Sequence, residues 1–323
     1  MRTYRLVLLI ALAISLGLAA CSGLTQPRAT RPPLTVSWTV WPGYYPLAIA
    51  QQQGLFAKHG VAVKLVVYDA YTTAYTDYAS GKVDGSEMVL GDLLLLLDKR
   101  DSKAIMVTDS SEGGDQVFAI NAIRTVADMK GKRIGVHFGT YGELFVRKML
   151  AANGLAPDDV TFVNINPEAV PAAFPTKIDV GHSFEPFTSQ AVAKGGHVVF
   201  TSAETPGLIP NVFAFSAQVV RERPDDIRAF VAAWFEAVDW MNAHSDQVPA
   251  VVAQVTGLKP EDIWMDGGDR VFTLAESRAA MTRGADYRSL YYTGDEYVRF
   301  LTVTGSLSRA PDLEKLIDPS FLK

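Results

Sequence analysis

The chain has 323 residues, with 30 basic against 35 acidic side chains and a formal charge of −5 at neutral pH. This acidic balance argues against a nucleic-acid-binding protein, which would present clustered positive charge. The single cysteine, Cys21, excludes an intrachain disulfide and any metal site built from several cysteines.

The N-terminus carries the pattern of an export signal. Arg2 and Arg5 precede an uncharged apolar run at residues 6–18, which is shorter than the roughly 20 residues that span a bilayer. The run LAAC that ends at Cys21 resembles the bacterial lipoprotein signal. The resemblance implies removal of residues 1–20 and lipidation of Cys21, which would anchor the protein on the extracytoplasmic side of the cell membrane. The alternative is a buried cysteine in an ordinary soluble protein.

A tether and an alternating pattern follow the anchor. Residues 21–33 are rich in Ser, Thr and Pro and lack apolar periodicity, which predicts a tether between membrane and globule. Short apolar runs then alternate with helical patterns, as strand, helix, strand, helix and strand at residues 34–40, 45–58, 61–68, 71–80 and 83–89. Such alternation is typical of a parallel sheet with crossover helices, and so of the α/β class.

The same order returns in the middle of the chain. Residues 133–136, 141–153 and 160–164 read as strand, helix and strand. The triplets at 82–84 and 177–179, Lys-Val-Asp and Lys-Ile-Asp, occupy matching places in the two halves. The pattern therefore predicts one architecture used twice.

The C-terminal part is predicted to be mostly helical. After a strand at 211–216, helical patterns cover residues 224–243, 247–256, 275–283 and 294–304. We expect two lobes, the first formed by residues 34–118 plus 212–323 and the second by residues 119–211. The two hinge crossings are then expected near Ala119 and Asn211.

The sequence lacks the familiar catalytic signatures. It contains no Gly-x-Ser-x-Gly elbow, no phosphate-binding glycine loop and no His-Glu-x-x-His helix. His182 and Glu185 form the one pair with helical spacing, and two ligands do not satisfy zinc, which takes about three or four. We therefore expect no metal, no cofactor and no catalytic residue. The Gly-Gly-Asp runs at 113–115 and 267–269 are each predicted to be turns.

Aromatic residues concentrate where a ligand is expected. Open parallel sheets bind ligands at the carboxyl ends of their strands, and two adjacent strand ends are flanked by Trp38, Trp41, Tyr44, Tyr45, Tyr68 and Tyr71. The loops expected at this edge contain no lysine or arginine. Aromatic faces and carboxylates favour a flat ring that donates hydrogen bonds. Two alternatives stay open: the aromatics pack the lobes together, or the helix opening at 139–142 holds an anion on its backbone amides.

Five segments together carry a family resemblance, at residues 41–50, 54–60, 79–84, 128–136 and 178–187. Their order and spacing resemble the extracytoplasmic substrate-binding proteins of bacterial ABC importers, in the nitrate, sulfonate, taurine and thiamine-precursor group. The resemblance implies a two-lobed, type 2 periplasmic-binding-protein fold with mixed, mostly parallel sheets. It also implies a monomer that closes on a small-molecule ligand and delivers it to a membrane permease driven by a separate ATPase.

Residues 111–115, 185–187 and 206–211 look like the branch that binds vitamins and their precursors. The resemblance implies riboflavin as the first ligand candidate and a thiamine-type pyrimidine as the second. An aliphatic sulfonate, taurine or nitrate is the alternative, and an anchored enzyme using His182 and Glu185 is the alternative of another class. Where relatives of this branch often have Tyr and Asp, this chain has Phe184 and Asn211. The residues carried over as ligand contacts are Trp41, Tyr44, Asp92, Gly114, Thr140, Tyr141, Glu185 and Asn211.

Overall fold

Two β-sheets form the framework of the protein. The computed structural model describes residues 31–265 and 267–323, so Cys21, the predicted signal and most of the predicted tether lie outside the described residues. The strands, in chain order, are β1 (Leu34–Thr39), β2 (Val63–Tyr68), β3 (Gly85–Val89), β4 (Ser102–Ser111), β5 (Gln116–Ile120), β6 (Arg133–Val136), β7 (Thr161–Asn164), β8 (Val180–Ser183), β9 (Gly196–Thr201), β10 (Pro210–Ser216) and β11 (Asp269–Val271).

Helices flank both sheets. In chain order they are α1 (Tyr45–Gln52), α2 (Leu55–Lys58), α3 (Tyr71–Ala79), α4 (Leu90–Leu96), α5 (Tyr141–Ala152), α6 (Val170–Ala173), α7 (Phe187–Val192), α8 (Ala217–Glu222), α9 (Pro224–Ala243), α10 (Val248–Thr256), α11 (Leu274–Ala280), α12 (Leu290–Val303) and α13 (Leu313–Leu316). The predicted helix at 45–58 is broken into α1 and α2 at Gly54, whose φ of 68° lies in the left-handed region. Within the described part of the chain, no helix is both long and apolar enough for a membrane span.

Five strands of the first sheet have the same topology as the five strands of the second, which confirms the predicted doubling. The first has the strand order β11-β4-β10-β3-β1-β2 and the second β7-β6-β8-β5-β9. In each sheet the first strand of the repeat pairs in parallel with the two that follow it, β1 with β2 and β3, and β6 with β7 and β8. An antiparallel strand from another part of the chain then lies beside the third, β10 beside β3 and β5 beside β8.

Asp84 and Asp179 have the same structural role in the two repeats. The carboxylate of Asp84 accepts a hydrogen bond from the Thr35 backbone N–H at 2.8 Å, which fixes the start of β3 against β1. Asp179 accepts from the Arg133 backbone N–H at 2.9 Å and also binds the Arg133 guanidinium. The matching triplets at residues 82–84 and 177–179 therefore each end in an aspartate that fixes the start of a strand.

The chain passes between the sheets at two places. It leaves the first sheet after β4 ends at Ser111, and it returns when β10 begins at Pro210. The expected crossing near Asn211 lies next to Pro210, and the one expected near Ala119 lies a few residues after the segment between β4 and β5. Because β5 pairs with β8 and β9, residues 116–118 belong with the second sheet, and because β10 pairs with β3 and β4, residues 210–211 belong with the first.

Loss of the Asp84 carboxylate should destabilise the first sheet. Asp84→Ala leaves the Thr35 N–H without its acceptor, and we expect the free energy of unfolding to fall by about 1–3 kcal/mol in urea titrations. Asp84→Asn keeps an acceptor oxygen and should lose less. Asp158→Ala, on an exposed turn, is the control and should change stability by no more than about 0.5 kcal/mol. Equal stability of Asp84→Ala and the control would contradict this role.

Candidate functional site

A cleft of about 250 Å³ lies at the carboxyl ends of the parallel strands, where the sequence predicts a ligand. The first sheet contributes the segment after β1, the end of β2 and the end of β3, and the second sheet contributes the segment after β8 and the start of α5. Its aromatic lining consists of Trp41, Tyr44, Tyr45, Tyr68, Tyr71, Tyr141, Phe184, Phe187 and Trp264. Trp38, expected at this edge, is instead fully buried in the core, because it still belongs to β1.

Trp41 connects the two sides of the cleft. Its ring meets Phe184, which follows β8, edge to face with centroids 6.1 Å apart. On the other side it meets Trp264 at 5.6 Å. Trp41 is 8 % exposed, so most of its surface packs against protein while one part lines the cavity. This ring is therefore both a wall of the cleft and a contact between its sides.

Asp109, near the end of β4, orients the side chains that form the floor of the cleft. Its Oδ2 accepts hydrogen bonds from the Trp41 indole N–H at 3.1 Å and from the Asn211 amide at 2.6 Å. The Tyr44 hydroxyl donates to the Asn211 side-chain oxygen at 2.9 Å. Gly43 allows this approach, because a Cβ there would lie 2.2 Å from the Asp109 carboxyl carbon. One buried carboxylate thus orients three residues predicted as ligand contacts.

Two further carboxyls surround Asp109. Burial, followed by the charge of Asp109, raises the pKa of Glu87 and the pKa of Asp269 well above their usual values. Neither carboxyl receives a hydrogen bond within the described residues. Burial raises the pKa of Asp109 as well, and like charges in a dry site cannot all ionise. The indole, amide and Thr108 hydroxyl donors oppose this shift and favour a negative charge on Asp109.

A smaller polar subsite lies next to the cleft and shares Tyr71 and Tyr141 with it. Asp92 lies in this subsite at 4 % exposure and accepts a hydrogen bond of 2.6 Å from the Tyr71 hydroxyl. Thr140 and His137 also line it. Burial raises the pKa of Asp92 to about 7, with the Tyr71 hydrogen bond opposing the shift. Asp92 therefore changes charge near neutral pH.

His182 does not pair with Glu185. Its Nε2 lies 3.1 Å from Oδ1 of the buried Asp115, whereas Glu185 accepts from the Ser189 backbone N–H at 3.3 Å. The expected helical spacing is wrong here because His182 lies in strand β8. Within residues 31–265 and 267–323, no group of three or more His, Cys, Asp or Glu side chains is arranged to hold a metal ion.

The two Gly-Gly-Asp runs meet each other. The carbonyl oxygen of Gly268 accepts the backbone N–H of Glu112 at 3.0 Å and that of Gly114 at 2.6 Å. A Cβ on Gly114 would lie 2.4 Å from the Trp41 ring, and one on Gly268 would lie 2.7 Å from the Gly114 nitrogen. Gly114, predicted as a ligand contact, therefore lies behind Trp41 and outside the lining of the cleft.

The start of α5 already holds a carboxylate. Glu143, in the first turn, accepts the Gly139 backbone N–H at 2.7 Å, and its other oxygen binds the Arg147 guanidinium. Negative charge is favourable at this end of a helix, and the chain supplies it from its own side chain. One amide of the anion site left open at residues 139–142, that of Gly139, is therefore already used by a carboxylate of the chain itself.

The structure brings seven of the eight predicted contacts to the cavities. Five line the main cleft, namely Trp41, Tyr44, Tyr141, Glu185 and Asn211, while Asp92 and Thr140 line the subsite. Sequence reasoning did not select Asp109, Asp115, Phe187 or Trp264. The position of Asp115 directly after a Gly-Gly turn was the one signal for it, whereas nothing local distinguishes Asp109 or Trp264.

The chain is similar to several binding proteins. The model of the NMT1-like family matches residues 28–257. A protein of Brucella abortus (strain 2308) that is named as a binding protein is 26% identical over 242 residues, which cover 73% of this chain and 75% of that protein. A protein of Bacillus subtilis (strain 168) that is named for binding aliphatic sulfonates is 23% identical over 289 residues, covering 86% and 84%.

Solved structures show the same fold. The periplasmic aliphatic sulphonate binding protein SsuA of Escherichia coli matches with a TM-score of 0.70 and 16% identity, over 90% of this chain and 99% of that one. The desulfurization enzyme DSZB matches with a TM-score of 0.64 and 19% identity, over 90% and 98%. The protein therefore has the two-lobed fold of periplasmic binding proteins, a fold that also occurs in an enzyme.

Titration of Asp92 should appear in the stability of the protein. Between about pH 4 and 7 the unfolded chain has released this proton while the folded protein keeps it, so the free energy of unfolding falls as pH rises. We expect Asp92→Asn to remove that part of the decline, worth about 1.4 kcal/mol for each tenfold change in proton affinity. Urea unfolding of both proteins from pH 4.5 to 8 measures the difference. A wild-type minus variant difference that is constant with pH would contradict the assignment.

Proposed function

Because the chain belongs to the NMT1-like family, we propose that it is an extracytoplasmic solute-binding protein of an ABC importer. It captures a small molecule and delivers it to a membrane permease driven by a separate ATPase. The similarity to proteins named for binding supports this function. The single observation that carries it is the cleft itself, whose aromatic walls come from segments following strands of both sheets.

The geometry of the cleft supports capture by closure. Trp41 follows β1 and Phe184 follows β8, and their contact encloses the cavity between the two sheets. A ligand that touches both rings favours the closed arrangement by the difference between its affinities for the closed and open states. We propose that the protein acts as a monomer in this step.

We also propose that the cleft binds its ligand without changing it. The one candidate catalytic pair, His182 with Glu185, is not formed, because His182 is bonded to Asp115. Asp109, the buried carboxylate beneath the cleft, is occupied with the Trp41 and Asn211 side chains. Because a desulfurization enzyme has a similar fold, the absence of catalysis needs a direct test. Turnover of a bound ligand by the wild-type protein, and its loss in His182→Asn, would overturn this proposal.

Two ligand classes are candidates. The first is a flat heterocycle, riboflavin or a thiamine-type pyrimidine, and it is supported by the nine aromatic rings that line the cleft and by Glu185, whose carboxylate can accept from ring nitrogens. The second is an aliphatic sulfonate, taurine or nitrate. The names of the relatives support this second class more directly than the first.

Direct titration distinguishes the classes. The first predicts that riboflavin or the pyrimidine quenches tryptophan fluorescence with saturation, and that Glu185→Gln weakens binding about tenfold through loss of a charged acceptor. Glu222→Gln, on an exposed helix, is the matched control and should bind like wild type. Saturable binding of ethanesulfonate, taurine or nitrate, with none of the heterocycles, would select the second class. Native mass spectrometry of the purified protein identifies any ligand carried through purification.

We propose lipidation of Cys21 from the sequence pattern, since this residue lies outside the described residues. Several acyl chains on one residue hold a protein firmly, because each buried methylene adds about 0.8 kcal/mol. We expect the wild-type protein to enter the detergent phase in Triton X-114 partitioning and Cys21→Ser to stay in the aqueous phase. Aqueous partitioning of both proteins would contradict the anchor.

A further inference from the structure

Acidic side chains predominate around the cleft. The main cavity is lined by four carboxyls, Asp69, Asp115, Glu185 and Asp262. The adjoining subsite adds Asp92, whose pKa burial raises to about 7, and the imidazoles of His137 and His182. Among the described residues, no lysine or arginine lines either cavity. A cleft whose charges share one sign concentrates its field inward and attracts ligands of the opposite sign.

Two of these carboxylates retain an oxygen for a ligand. Asp115 is 3 % exposed, and its Oδ1 is bonded to His182 while its Oδ2 has no hydrogen-bond partner among the described residues. Asp92 is 4 % exposed, and its Oδ2 is bonded to Tyr71 while its Oδ1 likewise has no described partner. Neither free oxygen is fully sealed from the cavities that these residues line. A buried carboxylate oxygen is costly unless a donor or a cation meets it.

The arrangement disfavours an anion in the same place. A sulfonate or nitrate would need converging donors or positive charge to replace its hydration. At the start of α5 the Gly139 amide is already used by Glu143, whose carboxylate also binds the Arg147 guanidinium and places a negative charge there. The aromatic rings instead favour a cation, because the face of an aromatic ring attracts positive charge.

We propose that the ligand is an organic cation whose positively charged nitrogen lies at Asp115, between the rings of Trp41, Tyr141 and Phe184. This inference rests on the proposed solute-binding function and narrows it. Among the heterocycles it favours those that carry positive charge over neutral ones, and it is opposed to the sulfonates and nitrate. Asp69 and Asp262, both exposed, stand at the outer part of the lining and assist attraction.

The test uses three flat probes of nearly equal shape and different charge: benzamidinium, benzamide and benzoate. Isothermal titration with the wild-type protein is carried to millimolar probe. We expect benzamidinium to bind at least tenfold more tightly than benzoate, with an affinity that falls as salt is added. In Asp115→Asn the ratio of the two affinities should fall about tenfold. Asp158→Asn, which removes an equal charge from an exposed turn, should leave the ratio unchanged.

The possible results distinguish failure of the cation inference from failure of the proposed solute-binding function. Choline and ethanesulfonate serve as a second, aliphatic pair. Tighter binding of benzoate and ethanesulfonate than of their cationic counterparts would overturn the cation inference while supporting solute binding. Failure of all five probes to bind at millimolar concentration would count against both. If Asp115→Asn unfolds, Asp115→Glu, which keeps the charge, must retain the preference for benzamidinium.

Discussion

The cleft depends on one buried carboxylate. Asp109 fixes the indole of Trp41 and the amide of Asn211, and through Asn211 it fixes the hydroxyl of Tyr44. Burying that carboxylate is unfavourable, and burial together with its charge raises the pKa of the neighbouring acids Glu87 and Asp269. Polar groups beneath the aromatic floor therefore hold it in place, and a change in the Asp109 carboxyl would alter the positions of Trp41 and Tyr44.

The repeated topology explains why so many aromatic and acidic residues converge. Parallel strands in both sheets end at the same edge, so loops from distant parts of the chain meet there. Asp84 and Asp179 fix the start of the third strand in each repeat, which sets the register of that edge. The placement of Asp115 at the first crossing and of Tyr141 at the start of α5 follows from this geometry.

The sequence predicts the fold well and the site in part. Alternating strands and helices, and the helix at 224–243, follow from apolar periodicity, which is local. The convergence of Trp41, Tyr44 and Glu185 follows from the rule about strand ends. The hydrogen bonds that orient these residues cannot be predicted in this way. Asp109 is 68 residues from Trp41 and 102 residues from Asn211 in the sequence, and no local pattern encodes such pairings. The sheet to which residues 116–118 belong could not be predicted, because the pattern of a strand is the same whichever sheet it joins.

The meeting of the two Gly-Gly-Asp runs limits how this protein can be rebuilt. Gly113 and Gly114 face Gly268 so closely that a side chain on any of them would collide with backbone or with Trp41. The two glycine runs, about 150 residues apart in the sequence, are thus sterically matched to each other and must be exchanged together. A chimera that exchanges the middle of the chain for a relative's, to alter its ligand, would need to bring both glycine runs from the same parent.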